Sequence, residues 1–205
     1  MASISLKYKS KQGTLTAPGD VDLGAMIPIA TTTVGAGGSS TITFSSIPQN
    51  YEHLQIRGIA RSTATTSTTG YSDSAFIRFN NDGSANYAAH HLDGNGSAYD
   101  VGADTSSTSA IIWDLGGAFT TQTANSFEVF VYDILDYSNT FKYKTLRVLG
   151  GADYNGYGRI SIQSGLWQNT SAVNTITITN SVNFAQYSHF ALYCIKRAEI
   201  GRAHV

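Results

Sequence analysis

About ten or eleven short runs of β-type residues, each closed by Gly, Pro, Asn or Asp after a few positions, decide what this chain can fold into. The stretch TITFSSIPQNYEHLQIRGIARS, residues 41–62, shows the unit. Two alternating runs flank a turn set by Pro48 and Asn50, and in the second run Leu54 and Ile56 share one face while Gln55 and Arg57 share the other. Similar runs are MIPIATTTV, SAFIRFN, NYAAHHL, SAIIWDL, SFEVFVYDIL, KYKTLRVLGG, RISIQSGLW, VNTITITN and HFALYCIK. SFEVFVYDIL is apolar on both faces and is expected to be a central strand covered on both sides. No run of a dozen residues has apolar positions three and four apart, and no fixed-period repeat appears. The pattern predicts an all-β fold: an antiparallel, jelly-roll-like β-sandwich.

A length of 205 residues suits one such domain with an arm. The domain is placed at 26–198, and residues 1–25 read differently. There Ile4, Leu6 and Tyr8 alternate with Lys7, Lys9 and Lys11 before the break at Pro18 and Gly19. This arm is either a disordered tail or a segment that attaches to another subunit or a larger assembly, with Leu6, Lys7, Tyr8, Lys9 and Lys11 as the contact residues. The closing EIGRAHV, 199–205, can be spelled by the codons GAG ATC GGA AGA GCA CAC GTC, a common short-read library adapter, and is expected to be non-native.

Charge narrows the functions. Thirteen basic and fourteen acidic residues leave a net charge of −1, so no global field draws the chain to nucleic acid. No segment has the apolar length of a membrane span, and the N-terminus lacks a signal-peptide core, so folding in a reducing cytoplasm is expected. The only cysteine, Cys194, lies in the apolar run FALYCI and reads as a buried thiol.

Catalytic and metal patterns are weak. His90, His91 and Asp93 invite a metal reading, but adjacent strand residues point to opposite faces, so no metal site is assigned. Asp93, Asn95 and Gly96 lack the ligand spacing of a calcium loop. Asp133 and Asp136 resemble a glycosidase carboxylate pair, yet a strand end and turn use Asp in the same way. No G-x-S-x-G, P-loop or Cys-His arrangement occurs, and the chain is expected not to be an enzyme and to need no cofactor. Trp113 and Trp167 read as core, and Arg57, Arg61 and Arg78 as bridges to neighbouring groups.

Aromatic turn residues are the better lead. Tyr71, Tyr87, Tyr99, Tyr137, Tyr154 and Tyr157 sit in or beside Gly/Asn/Ser-rich turns, where rings can stack on sugars, or else plug strand ends and subunit contacts. The ligand-binding candidates are Tyr154, Asn155 and Tyr157 in GGADYNGYGR, with Tyr137 and Tyr99.

Five blocks in order across 26–197 carry a resemblance: VGAGGSSTITFSSIPQNYEHLQIRGIARS, IRFNNDGSANYAAHHLDGNG, VYDILDYSNTFKYKTLRVLGG, SGLWQNTSAVNTITIT and NFAQYSHFALYCIKR. Together they resemble virion structural proteins of tailed phages of the marine and cyanobacterial type, usually labelled tail fibre or minor structural protein. LKYKSKQGTLTAPGDVDLGAMIPIAT looks like a fibre-type leader. The resemblance implies a non-enzymatic β-sandwich, homotrimeric by fibre symmetry, that contacts other virion proteins. It would be assembled into the virion in the cytoplasm of the infected bacterium. The expected role is a tail-fibre or receptor-binding component recognising host-surface polysaccharide; the alternative is a capsid decoration (cement) protein on the phage head.

Overall fold

The computed structural model describes residues 25–65, 75–112, 117–156 and 158–196. Among them lie twelve strands and no helix: β1 (Met26–Thr33), β2 (Ser39–Phe44), β3 (His53–Ala60), β4 (Ala75–Phe79), β5 (Tyr87–Gly94), β6 (Tyr99–Ser107), β7 (Ala110–Ile112), β8 (Glu128–Leu135), β9 (Lys144–Asp153), β10 (Gly158–Trp167), β11 (Ile176–Phe184) and β12 (His189–Ile195). The arm residues Leu6, Lys7, Tyr8, Lys9 and Lys11 lie outside the described residues, as do the EIGRAHV tail, Tyr71 and Trp113.

The strands form two antiparallel sheets, β1-β12-β3-β8-β9-β10-β5-β6 and β2-β11-β4-β7. The orders β1-β12-β3-β8 and β2-β11-β4-β7 are the interleaving of a jelly roll, in which successive strands alternate between sheets. The remaining four strands, β9, β10, β5 and β6, extend the larger sheet beyond β8. The strand beyond the expected number is β6, whose sequence YDVGADTSS shows little apolar alternation. It is a strand because β5 pairs with it, from Gly94 opposite Tyr99 to Tyr87 opposite Ser107.

The core lies between the sheets. Ile176 and Ile178 of β11 are fully buried, as period two requires of their positions. At one end Trp167 packs 5.6 Å from Phe79 and 6.3 Å from Tyr87, ring centre to ring centre, and donates its indole N–H to Asp82 Oδ2 at 2.8 Å. Cys194 and Trp167 are core residues. Lys144 is also fully buried; its Nζ donates to the carbonyls of Asn139, Lys142 and Thr170 at 2.5–3.2 Å, and burial holds its pKa below the usual lysine range.

One expectation changes. β8 is central in its sheet, but it is fully covered on one face only: Phe130, Tyr132 and Ile134 are buried, whereas Val129 is 52% exposed. The smaller sheet packs on the inner face, while the outer one is open at Val129 and Leu135 and only half-buried at Val131 and Asp133.

Candidate functional site

The outer face of the extended sheet carries apolar side chains in two registered rows. One runs Ile59, Val129, Gly151, Ile160, Gly94, Tyr99 across β3, β8, β9, β10, β5 and β6; the next runs Arg57, Val131, Leu149, Ile162, Leu92, Val101. Ile59, Val129, Leu149, Ile160, Ile162, Leu92, Val101 and Tyr99 are between 39% and 80% exposed. The third row, Gln55, Asp133, Arg147, Ser164, His90, Ala103, is polar and borders the patch. A depression of about 530 Å³ lies in the face, lined by Val129, Val131, Leu149, Gly151 and Ile160 among others.

On β10 the ordinary polarity of a strand is inverted. Arg159, Ser161 and Gln163 are buried on the inner side while Ile160 and Ile162 face outward. Registration by the core explains it: Trp167 and Gly165 must face the smaller sheet, and period two then sends Ile160 and Ile162 to the other side. β5 repeats the pattern, with Tyr87, Ala89 and Asp93 buried and Leu92 exposed.

The sugar-contact candidates are dispersed. Tyr137 is fully buried at the β8–β9 turn, where its hydroxyl donates to the carbonyl of Pro48 and burial pushes its pKa up. Tyr154 is 3% exposed, and its carbonyl accepts from Thr123 Oγ1 at 2.6 Å. Neither ring is open to stack on a ligand, because each fills the end of the sheet. Tyr87 is a core residue whose pKa burial pushes up to about 12. Tyr157 lies outside the described residues. Tyr99 and Asn155 are exposed, and the pairing of Ile160 with Gly94 and Gly94 with Tyr99 brings residues 95–98 and 154–156 to the same end of the sheet.

No family model, curated protein or solved structure matches this chain. The side chains themselves carry the functional reading.

The polar groups weighed as catalytic, and the arginines read as bridges, have local partners. Asp133 accepts from Gln55 Nε2 and Arg147 Nη2, each at 2.7 Å; burial raises its pKa, and the two hydrogen bonds outweigh that and hold it below the usual carboxylate value. Asp136 has φ 50° at a turn and pairs with Lys142 Nζ at 2.6 Å. Arg61 donates to the carbonyls of Thr123 and Ser126 at 3.0 and 2.7 Å, Arg78 to that of Thr108 at 3.0 Å, and Arg57 to Gln55 Oε1 at 2.8 Å. His90 and His91 point to opposite faces, as adjacent strand residues must.

Sequence reasoning missed the outer face. Its signal was present in RISIQSGLW, but choosing the inward side requires knowing that Trp167 sets the register.

Proposed function

We propose that this chain is a non-enzymatic structural subunit of a tailed-phage virion that assembles with copies of itself through the outer face of the extended sheet. The inverted polarity of β10 carries this reading: two isoleucines face out while an arginine, a serine and a glutamine are buried. The eight exposed side chains of the patch present on the order of 800 Å², the share one partner contributes to an interface of standard size and more than a monomer usually leaves open. The two rows hold one charged residue, Arg57, at their margin, so identical faces meet without repulsion and a strongly charged partner finds nothing to pair with. The occupant is therefore another copy of this chain, and three copies is the number that the resemblance to fibre proteins implies.

The jelly-roll order, which viral coat domains share among many others, and the resemblance of its sequence blocks support the virion setting. Display at the particle surface as a tail-fibre or receptor-binding component leaves residues 95–98 and 154–156 for contact with host-surface polysaccharide, with Tyr99 and Asn155 as the accessible residues. Gold-labelled antibody on phage heads instead of tails would reassign the subunit to capsid decoration.

Sedimentation equilibrium tests assembly. A mass three times 21.9 kDa is expected, and Leu149→Lys with Ile162→Lys should give a folded monomer. A wild-type monomer at tens of micromolar sinks the proposal, and a stable dimer removes the three-fold.

A further inference from the structure

His91 and Asp93 stand two apart on β5 and project to the same inner face, and the register sets Asp93 opposite Asp100 of β6. His91 Nε2 lies 3.4 Å from Asp93 Oδ2 and 3.6 Å from Asp100 Oδ2, and one donor atom from each residue falls within 4.8 Å of the others. Gly102 faces His91 across the strand pair; a Cβ there would stand 2.4 Å from His91 Cε1, so the imidazole occupies the space that glycine leaves. A pocket of about 280 Å³, lined in part by Asp93, Asn95, Asp100 and Arg159, opens at this end of the hairpin.

Two independent observations point to a cation. In a tetrahedral site with bonds of about 2.0–2.1 Å, neighbouring ligand atoms stand about 3.3 Å apart, close to the two separations measured from His91. Asp93, moreover, is 2% exposed, and its Oδ1 accepts no hydrogen bond. Oδ2, the oxygen 3.4 Å from His91, also lies 2.7 Å from Arg159 Nη2, the kind of outer partner that orients a ligating carboxylate. With the imidazole neutral, two carboxylates against one guanidinium leave negative charge that a dication offsets.

We propose that His91, Asp93 and Asp100 form a divalent-cation site of the zinc class, with Arg159 orienting Asp93. The mixed imidazole and carboxylate donors select such an ion over calcium or magnesium. Bound there, it ties β6, the last strand of the sheet, to β5. Glu52, His53 and Asp136 make a second cluster, but two of its three members have other roles: His53 Nδ1 accepts the Asp136 backbone N–H at 3.0 Å, and Lys142 takes the Asp136 carboxylate.

Calorimetric titration of the metal-stripped protein with Zn²⁺ tests the site, with thermal melts confirming that every variant is folded. Wild type should bind one ion per chain. Asp100→Asn, a change at an exposed residue, and His91→Gln should each weaken binding at least tenfold, while His53→Gln should leave it unchanged. The proposal is overturned if wild type shows no saturable binding, if Asp100→Asn and His91→Gln bind like wild type, or if His53→Gln alone abolishes binding. Zinc binding and sedimentation mass are separate readouts, so this site stands or falls apart from self-assembly.

Discussion

The ring of Phe130 covers Gly58, its partner across β3 and β8: a Cβ on Gly58 would stand 2.0 Å from Phe130 Cε2. The same ring stacks on Tyr132 at 4.7 Å and meets Phe190 at 5.6 Å, so those two rings resist its retreat. Gly58→Ala is therefore an overpacking change in the core and should destabilise the fold by about 1–3 kcal/mol. Urea unfolding checks it; an unchanged midpoint would show that the ring moves freely.

Tyr132 carries the opposite lesson. Its side chain is fully buried, its hydroxyl has no hydrogen-bond partner, and burial pushes its pKa well above the usual tyrosine value. Removing that oxygen relieves a desolvation penalty without opening a large cavity. Tyr132→Phe should raise stability by about 1 kcal/mol, read from the same urea curves. A loss of stability would mean that the hydroxyl bonds a buried water.

Asp82 should shape the acid limb of the stability curve. Its carboxylate accepts from Asn86 Nδ2 at 2.9 Å, the backbone N–H of Ser84 at 2.9 Å and the indole of Trp167 at 2.8 Å, and these bonds, Asn86 foremost, hold its pKa well below the usual carboxylate value against the opposing effect of burial. A depressed folded-state pKa contributes stability that is complete above the unfolded value of about 3.9 and fades as pH falls toward the folded one. Wild type should lose more stability than Asp82→Asn between about pH 5 and pH 2. Parallel losses in denaturant titrations at those two pH values would count against the hydrogen-bonded carboxylate.

Much of the fold was legible because period-two alternation survives wherever one side of a strand meets the core. Leu54 and Ile56 share one face in the sequence, and that face is the buried one. β6 was not legible, since YDVGADTSS is a strand only by virtue of its partner. The candidate binding residues fared unevenly for a related reason. Tyrosine beside a turn suits an exposed ring and a plug equally, and only packing separates Tyr99, exposed, from Tyr137 and Tyr154, buried. The histidine pair was half legible: His90 and His91 do diverge, but only the β5–β6 register, which sets Asp93 opposite Asp100, brings a second carboxylate to within 3.6 Å of His91.

The pairing of β1 with β12 places Met26 opposite Ile195, and the Lys196 N–H donates to the Ala25 carbonyl at 2.9 Å. Both ends of the domain therefore leave from one corner. Tension applied between those ends does not shear the sheet; it opens the β1–β12 rungs in sequence from that corner, as a zipper opens. Tension applied between residue 25 and the far end of the extended sheet spreads across many strands at once. The direction of load, more than the number of hydrogen bonds, decides how much mechanical work this domain withstands.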